Sequence, residues 1–165
     1  MEEKREYILT KEAPEPGSYS QAVSVDVGGA VLVFLAGQTG NIPGVDGEPV
    51  ISGGIGPQTT QTLENIAAVV KVAGGRIDDI VELKVFLKDG EGAGDILQHN
   101  RAAARKTFNA AYVDFFRKHG RSKEANNLPA RTMVWVPEVP LEFPTEDTVV
   151  EITAMAVITK KGVTG

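Results

Sequence analysis

Cysteine is absent from this 165-residue chain, and histidine, aromatic residues and long apolar runs are scarce. Without cysteine the chain forms no disulfides and has no thiolate for catalysis or metal binding. The two histidines, His99 and His119, lie too far apart and lack the carboxylate pattern that would predict a metal site. No apolar segment approaches the roughly 20 residues that cross a bilayer, and the charged start lacks the apolar core of a secretory signal. We therefore expect no membrane partner and a cytoplasmic location.

Positive charge is also in deficit, since the formal net charge is -5. Binding to a nucleic-acid backbone needs a dense field of Lys and Arg, so we expect no nucleic-acid partner. The one basic cluster, residues 117–123, follows a predicted helix, where cations face the negative end of the helix dipole and Gly120 stops the helix. The chain also lacks a G-x-S-x-G turn, a phosphate loop and a dinucleotide fingerprint, so no cofactor is predicted.

Turn-forming residues divide the first half of the chain into two strands and a helix. Residues 19–27 alternate in polarity and end at a Gly-Gly pair, which predicts a tight turn into a second strand at 30–36. A loop with one short strand near residues 50–51 follows. A helix with one apolar face is expected to begin at Pro57 and to end at Gly74-Gly75.

The second half predicts a long strand, a second helix and two further strands. The strand covers residues 79–88. Asp95, with Gln98 three residues later, resembles a capping box for a helix that runs to Lys118. The last two strands cover residues 131–136 and 149–159. One row of the long strand is expected to hold Val81, Leu83, Val85 and Leu87, and one stripe of the helix Leu97, Ala104, Phe108, Ala111 and Phe115.

This order of elements favours an α+β fold, in which a single sheet carries both helices on one face. The length fits one domain over residues 1–165, with a core at about 17–159. The last strand offers an apolar row to the helices, but its other row also carries Val149, Met155 and Val157, and residues 30–36 are apolar on both rows. A second face of this kind would be a large apolar patch on a monomer, so we predict that a partner subunit covers it.

Two charged residues stand out as candidates for function. Arg131 opens an apolar strand just after Pro129, where its rigid fork of donors can clamp a small carboxylate; the alternative is a surface ion pair. Glu151 lies inside the last strand, on the row that faces away from the predicted helices. A carboxyl group there suits general acid–base chemistry because burial raises its pKa; the alternative is an edge carboxylate that reaches solvent.

Six segments taken together resemble the Rid (YjgF) family of enamine/imine deaminases, also known as the endoribonuclease L-PSP family. They occur in the family's order from about residue 17 to residue 158. The segments are GSYSQA (17–22), AGQ (36–38), QTLENI (61–66), DIVELKVFL (79–87), PART (129–132) and VEITAMAV (150–157).

The resemblance implies a chorismate-mutase-like fold with one mixed sheet, assembled as a homotrimeric barrel with sites between subunits. It implies hydrolysis of small 2-imino or enamine acids to 2-keto acids and ammonia, as by a 2-iminobutanoate/2-iminopropanoate deaminase, without a cofactor or metal. By position, Arg131 is similar to the arginine that binds the substrate carboxylate and Glu151 to the glutamate that activates water. The resemblance also implies that the substrate pocket includes Tyr19, Asn109, Ala36 and Gly37.

Two features depart from the family pattern. Ala36 stands where the deaminases usually have serine, so a hydroxyl near the substrate is missing. Extra residues at about 96–107 and 138–147 are expected to lengthen the second helix and reshape one wall of the cleft. The alternative to a deaminase is therefore a non-catalytic trimer that binds or senses small carboxylates. The ribonuclease or translation-inhibitor role attached to some relatives suits an acidic chain least.

Overall fold

The computed structural model describes residues 4–89, 101–139 and 148–160. Within these ranges it contains seven strands, two α-helices and one 3-10 turn. In chain order they are β1 (Arg5–Ile8), β2 (Ala22–Asp26), β3 (Ala30–Leu35), β4 (Gln38–Thr39), α1 (Ile55–Val72), the 3-10 turn (Ile77–Asp79), β5 (Ile80–Lys88), α2 (Arg101–Lys118), β6 (Ala130–Val136) and β7 (Val150–Thr159).

The strands form one mixed sheet in the order β1-β2-β3-β7-β5-β6, with β4 paired to β7 beyond the end of β3. Only β5 and β6 run parallel among the strand pairs in the part of the chain that the structure describes. Apolar residues of α1, α2 and the sheet share one buried cluster. The α+β fold with both helices on one face is thus confirmed. No helix in the described ranges has the length and hydropathy needed to span a bilayer.

The β2–β3 turn and the end of helix α1 follow local sequence signals. The β2–β3 hairpin closes through a bond from the Val27 N–H to the Ala30 carbonyl at 2.9 Å, as expected. Helix α1 begins two residues before Pro57. It ends as predicted, because Gly74 adopts a φ of 86° that few other residues tolerate, and its N–H donates to the Lys71 carbonyl. In the preceding loop, Val50 forms only an isolated bridge with Asn41.

The expected inner row of β5 is wrong at one position. Val81 is 39% exposed, because the register of β5 against β7 shifts between Ile80 and Glu82. This irregularity turns Ile80 into the core instead, beside the correctly predicted Leu83. Alternation counted along the sequence fails wherever a bulge adds one residue.

Helix α2 has a wider buried face than the predicted stripe. Tyr112 and Phe116 are buried beside Phe108 and Phe115, whereas Ala111 is only half-buried. The predicted cap at Asp95 and Gln98, and Leu97, lie outside the described residues, as do residues 96–100 of the first expected insertion and 140–147 of the second. Strand β1 was not predicted, because only its last residue, Ile8, is buried.

The second face of the sheet is open and half apolar, as predicted. Phe34 is 47% exposed there, opposite Met155, and Leu32 pairs with Val157. Val149 is an exception to the expectation. It precedes β7 and is buried in the core, where its N–H donates to the Oε1 atom of Gln58 at 2.9 Å.

Candidate functional site

Arg131 lies on the helix-covered side of the sheet, at the start of the edge strand β6. It pairs in register with Leu83, whose side chain is buried under the helices. Its guanidinium carbon lies 4.5 Å from the centroid of the Tyr112 ring and 5.3 Å from that of Phe108. Within the described ranges it makes no hydrogen bond or ion pair, so no acceptor among these residues occupies its donors.

The surroundings of Arg131 are apolar on the inner side and open on the outer side. The side chain as a whole is exposed, but contact with the two rings removes water from one side of the guanidinium. This desolvation lowers the pKa of Arg131, and the neighbouring Tyr112 opposes the shift. Because guanidinium loses its proton only far above neutral pH, Arg131 keeps its charge.

A second arginine, Arg121, also contacts an aromatic ring of α2 and provides a contrast. Its guanidinium carbon lies 5.2 Å from the centroid of the Phe116 ring, and Arg121 is only 7% exposed. It donates to the carbonyls of Asn127 at 2.6 Å, Ile77 at 2.7 Å and Ile80 at 3.0 Å. Arg121 is thus a structural brace within the predicted basic cluster at residues 117–123.

Asn109 lies on α2, directly after Phe108. Its Oδ1 atom is buried and has no hydrogen-bond partner within the part of the chain that the structure describes. A buried amide oxygen without a partner costs free energy, which a bound donor would recover. We name Arg131 and Asn109 the arginine group.

Glu151 lies on the open face, as the alternation predicted. Its register neighbours are Thr39 on β4 and Phe86 on β5. The carboxyl group is half-buried, and this burial raises its pKa above the ordinary value of 4.5. In the described ranges no cation pairs with it, so nothing there offsets the cost of its charge.

Gly37 lies directly against the carboxyl group of Glu151. A β-carbon at residue 37 would lie 1.8 Å from the Oε1 atom, so no other residue fits without displacing the acid. The preceding Ala36 donates its N–H to the carbonyl of Gln21 at 2.9 Å. Tyr19, two residues before Gln21, is 53% exposed and lies outside β2. We name Tyr19, Ala36, Gly37 and Glu151 the glutamate group.

Arg131 and Glu151 lie on opposite faces of the sheet. From the register, Arg131 and Glu151 are separated by about 10 Å along the strands and by about 10 Å across them. One chain therefore does not bring its own Arg131 and Glu151 together around one small ligand.

Sequence reasoning missed the aromatic support of Arg131 and the steric need for Gly37. A signal for the first existed, since Phe108, Tyr112 and Phe116 recur at spacings of four residues along one helix face. In the described ranges no three His, Cys, Asp or Glu side chains cluster as a metal site would require. His119 is exposed beside Phe115, and His99 lies outside those ranges.

Comparison with known proteins covers nearly the whole chain. The family model described as Endoribonuclease L-PSP matches residues 10–158. A RutC family protein of Pyrococcus horikoshii is 35% identical over 153 residues, which make up 92% of this chain and 97% of that protein. A Salmonella typhimurium protein named 2-iminobutanoate/2-iminopropanoate deaminase is 33% identical over 151 residues, or 91% of this chain and 95% of that protein.

Solved structures agree with these similarities. Escherichia coli TdcF with bound serine superposes with a TM-score of 0.70 at 29% identity, covering 93% of this chain and 99% of that chain. The Escherichia coli YjgF gene product superposes with a TM-score of 0.67 at 31% identity, covering 92% and 98%. The family match includes the segments that hold Arg131 and Glu151.

Proposed function

Because the chain belongs to the Rid family, matched by the Endoribonuclease L-PSP model, we propose that it hydrolyses reactive 2-imino acids to 2-keto acids and ammonia without a cofactor. The observation that carries the proposal is the state of Glu151. It is a half-buried carboxyl group with a raised pKa, held against Gly37 and without a cation among the described residues. Such a group suits the transfer of protons to and from water.

Arg131 supplies the anchor for the substrate in this proposal. Its guanidinium fork can hold the carboxylate of a 2-imino acid through two parallel hydrogen bonds. The adjacent iminium carbon is electrophilic, and a fixed carboxylate keeps that carbon in one place relative to the attacking water. The open side of Arg131 supports this role, because no protein acceptor within the described ranges occupies its donors.

Glu151 carries the protons of the reaction. It accepts a proton from water as the water oxygen bonds to the iminium carbon, which gives a tetrahedral amino alcohol. It then donates this proton to the nitrogen. The carbon–nitrogen bond breaks, ammonia leaves, and loss of the hydroxyl proton completes the 2-keto acid. The raised pKa of Glu151 brings its two protonation states closer in energy near neutral pH, as a group that both takes and returns a proton requires.

The substrate lies, we propose, between two copies of the chain in a homotrimer. The arginine group of one copy faces the glutamate group of its neighbour, since Arg131 and Glu151 lie on opposite faces of one sheet. The open apolar face, with Phe34 and Met155, supports an assembly that covers it. Asn109, Tyr19 and Ala36 line the remaining walls of the pocket.

A second candidate function rests on Ala36. Without a hydroxyl at this position, the chain can retain the carboxylate clamp of Arg131 yet lack turnover. It would then be a binding or sensing trimer for 2-keto acids or similar small carboxylates. The structure of TdcF was solved with serine bound, and serine, like a 2-keto acid, is small and carries a carboxylate.

The test measures how fast an imine, generated in place by an L-amino-acid oxidase, is hydrolysed. The readouts are loss of the imine and release of ammonia. We expect the wild-type chain to accelerate clearance, and Arg131→Ala and Glu151→Gln each to abolish the acceleration. Arg117→Ala is the matched control, since Arg117 is exposed at the far end of α2. No acceleration by the wild type, together with binding of 2-oxobutanoate, would favour the sensing trimer; equal clearance by Arg131→Ala would end the deaminase proposal.

A further inference from the structure

Arg131 is supported by aromatic rings instead of a carboxylate. Tyr112 and Phe108 both lie within the distance at which a cation is attracted to the negative face of a ring, at 4.5 and 5.3 Å from the guanidinium carbon. In the described ranges no acidic side chain forms an ion pair with Arg131. Arg131 lies on the edge strand β6, but side chains of α2 orient its guanidinium.

We propose that Tyr112 is a positioning residue for Arg131: with Phe108 it forms an aromatic shelf that orients the guanidinium while leaving its N–H donors to the ligand. The proposal deepens the proposed function, since it rests on Arg131 as the carboxylate anchor. Tyr112 does not touch the reacting atoms; it acts through Arg131.

A ring serves this purpose better than an acid would. A carboxylate partner would also orient the guanidinium, but it would occupy two of its donors and compete with the carboxylate of the substrate. A ring face attracts the cation without accepting a hydrogen bond in the plane of the fork. The charge of Arg131 thus stays available to the ligand.

The shelf itself is rigid. Tyr112 is only 4% exposed and packs between Phe108, whose ring centroid is 6.1 Å away, and Phe116, whose centroid is 4.9 Å away. Burial raises the pKa of Tyr112, although Arg131 and Arg121 oppose the shift, so the phenol keeps its proton and the ring stays neutral. A fixed neutral ring determines where the guanidinium lies.

Arg121, which follows α2 in the chain, provides a contrast. It also lies over a ring, that of Phe116, but three backbone carbonyls occupy its donors. Arg131 has the ring contacts and, in the described ranges, none of the carbonyls. This difference indicates separate roles at Arg131. The rings hold the guanidinium in place, and its N–H donors bind the ligand.

The experiment is a series of nearly isosteric rings at residue 112 in the full chain. Tyr112 is replaced by phenylalanine and then by its 4-fluoro, 3,5-difluoro and 3,4,5-trifluoro forms, which withdraw electron density from the ring face with little change in volume. The Kd of 2-oxobutanoate is measured by calorimetry, with kcat and KM for an imine generated in place. The same fluorine series at Phe115 is the matched control, because Phe115 is buried but lies against Phe116 and His119.

We expect Kd and KM to rise stepwise along the series at residue 112, by about fivefold in total, with kcat within about twofold. The series at residue 115 should leave all three unchanged. A purely structural role for Tyr112 would lower stability without this graded dependence on fluorine. A flat Kd along the series at residue 112, in a protein that binds 2-oxobutanoate, would overturn the proposal.

A second measurement needs no ligand and separates this proposal from the proposed function. The Nε–H signal of Arg131 in a nitrogen-15 spectrum, assigned by its loss in Arg131→Lys, should be shifted by the ring current of Tyr112. The order parameter of this group should fall as fluorine is added at residue 112. If the signal and its order do not change along the series, the shelf does not position Arg131, whatever the protein binds or hydrolyses.

Discussion

Glu151 and Gly37 lie so close together that a β-carbon at residue 37 would be 1.8 Å from the Oε1 atom of the acid. The carboxyl group of Glu151, on β7, thus lies against the backbone of Gly37, between β3 and β4. Only glycine at residue 37 leaves room for the carboxyl group of Glu151 in this position. The contact thus connects the motif at residues 36–38 to the proposed chemistry.

Gly37→Ala should reduce deaminase activity by at least about tenfold, because the added methyl group displaces the carboxyl group of Glu151 from the water it activates. Steady-state kinetics on an imine generated in place provide the measurement. Gly29→Ala is the control, since a β-carbon at residue 29 meets nothing within 4 Å. Equal activity of Gly37→Ala and wild type would mean that the position of this carboxyl group does not matter to turnover.

Co-expression of Arg131→Ala and Glu151→Gln should restore activity that neither variant has alone. If each site takes Arg131 from one copy and Glu151 from the next, every trimer that contains both variants keeps about one intact site in three. The specific activity of the mixed trimers, purified through two different tags, is the measurement. Complete inactivity of mixed trimers, beside a fully active wild type assembled in the same way, would contradict a shared site.

The rate should fall on acidification through the raised pKa of Glu151, since only the ionised acid accepts a proton from water. Stability should show the opposite trend. Because the native pKa lies above that of the unfolded chain, the native state holds this proton to higher pH. Its contribution to the free energy of unfolding is complete below the ordinary value of 4.5 and is lost as pH rises through the native pKa.

Glu151→Gln cannot ionise, so it should gain stability relative to wild type as pH rises from 4 to 7. Urea unfolding at several pH values measures the difference. Glu64→Gln, on the exposed side of α1, serves as the control. A constant difference between Glu151→Gln and wild type across this range would show that the native pKa is not raised.

Arg121→Met should lower the free energy of unfolding by about 2–4 kcal/mol, since it leaves the carbonyls of Asn127, Ile77 and Ile80 without their donor. Urea denaturation measures the loss, and the exposed Arg117→Met should cost less than about 0.5 kcal/mol. At a temperature where the variant remains folded, its KM should match that of wild type. A stability equal to wild type would rule out the bracing role.

Local signals in the sequence predicted most of the elements. The hairpin at Gly28, the end of α1 at Gly74 and the faces of β7 follow from residues within a few positions of one another. Val81 shows the limit of such reasoning, because the bulge that exposes it depends on how β5 pairs with β7. Strand β1 was missed for the same reason: its place comes from pairing with β2, not from burial of its own side chains.

The sequence by itself determined the kinds of element, the candidate residues Arg131 and Glu151, and the open apolar face, since each depends on residue type and short-range period. Only the tertiary structure decided that the two candidates lie on opposite faces of the sheet, that Gly37 lies against Glu151 and that Tyr112 lies under Arg131. These relationships join residues that are 19, 20 and 114 positions apart in the chain. Their distances are set by strand register and helix packing, and no local pattern encodes either.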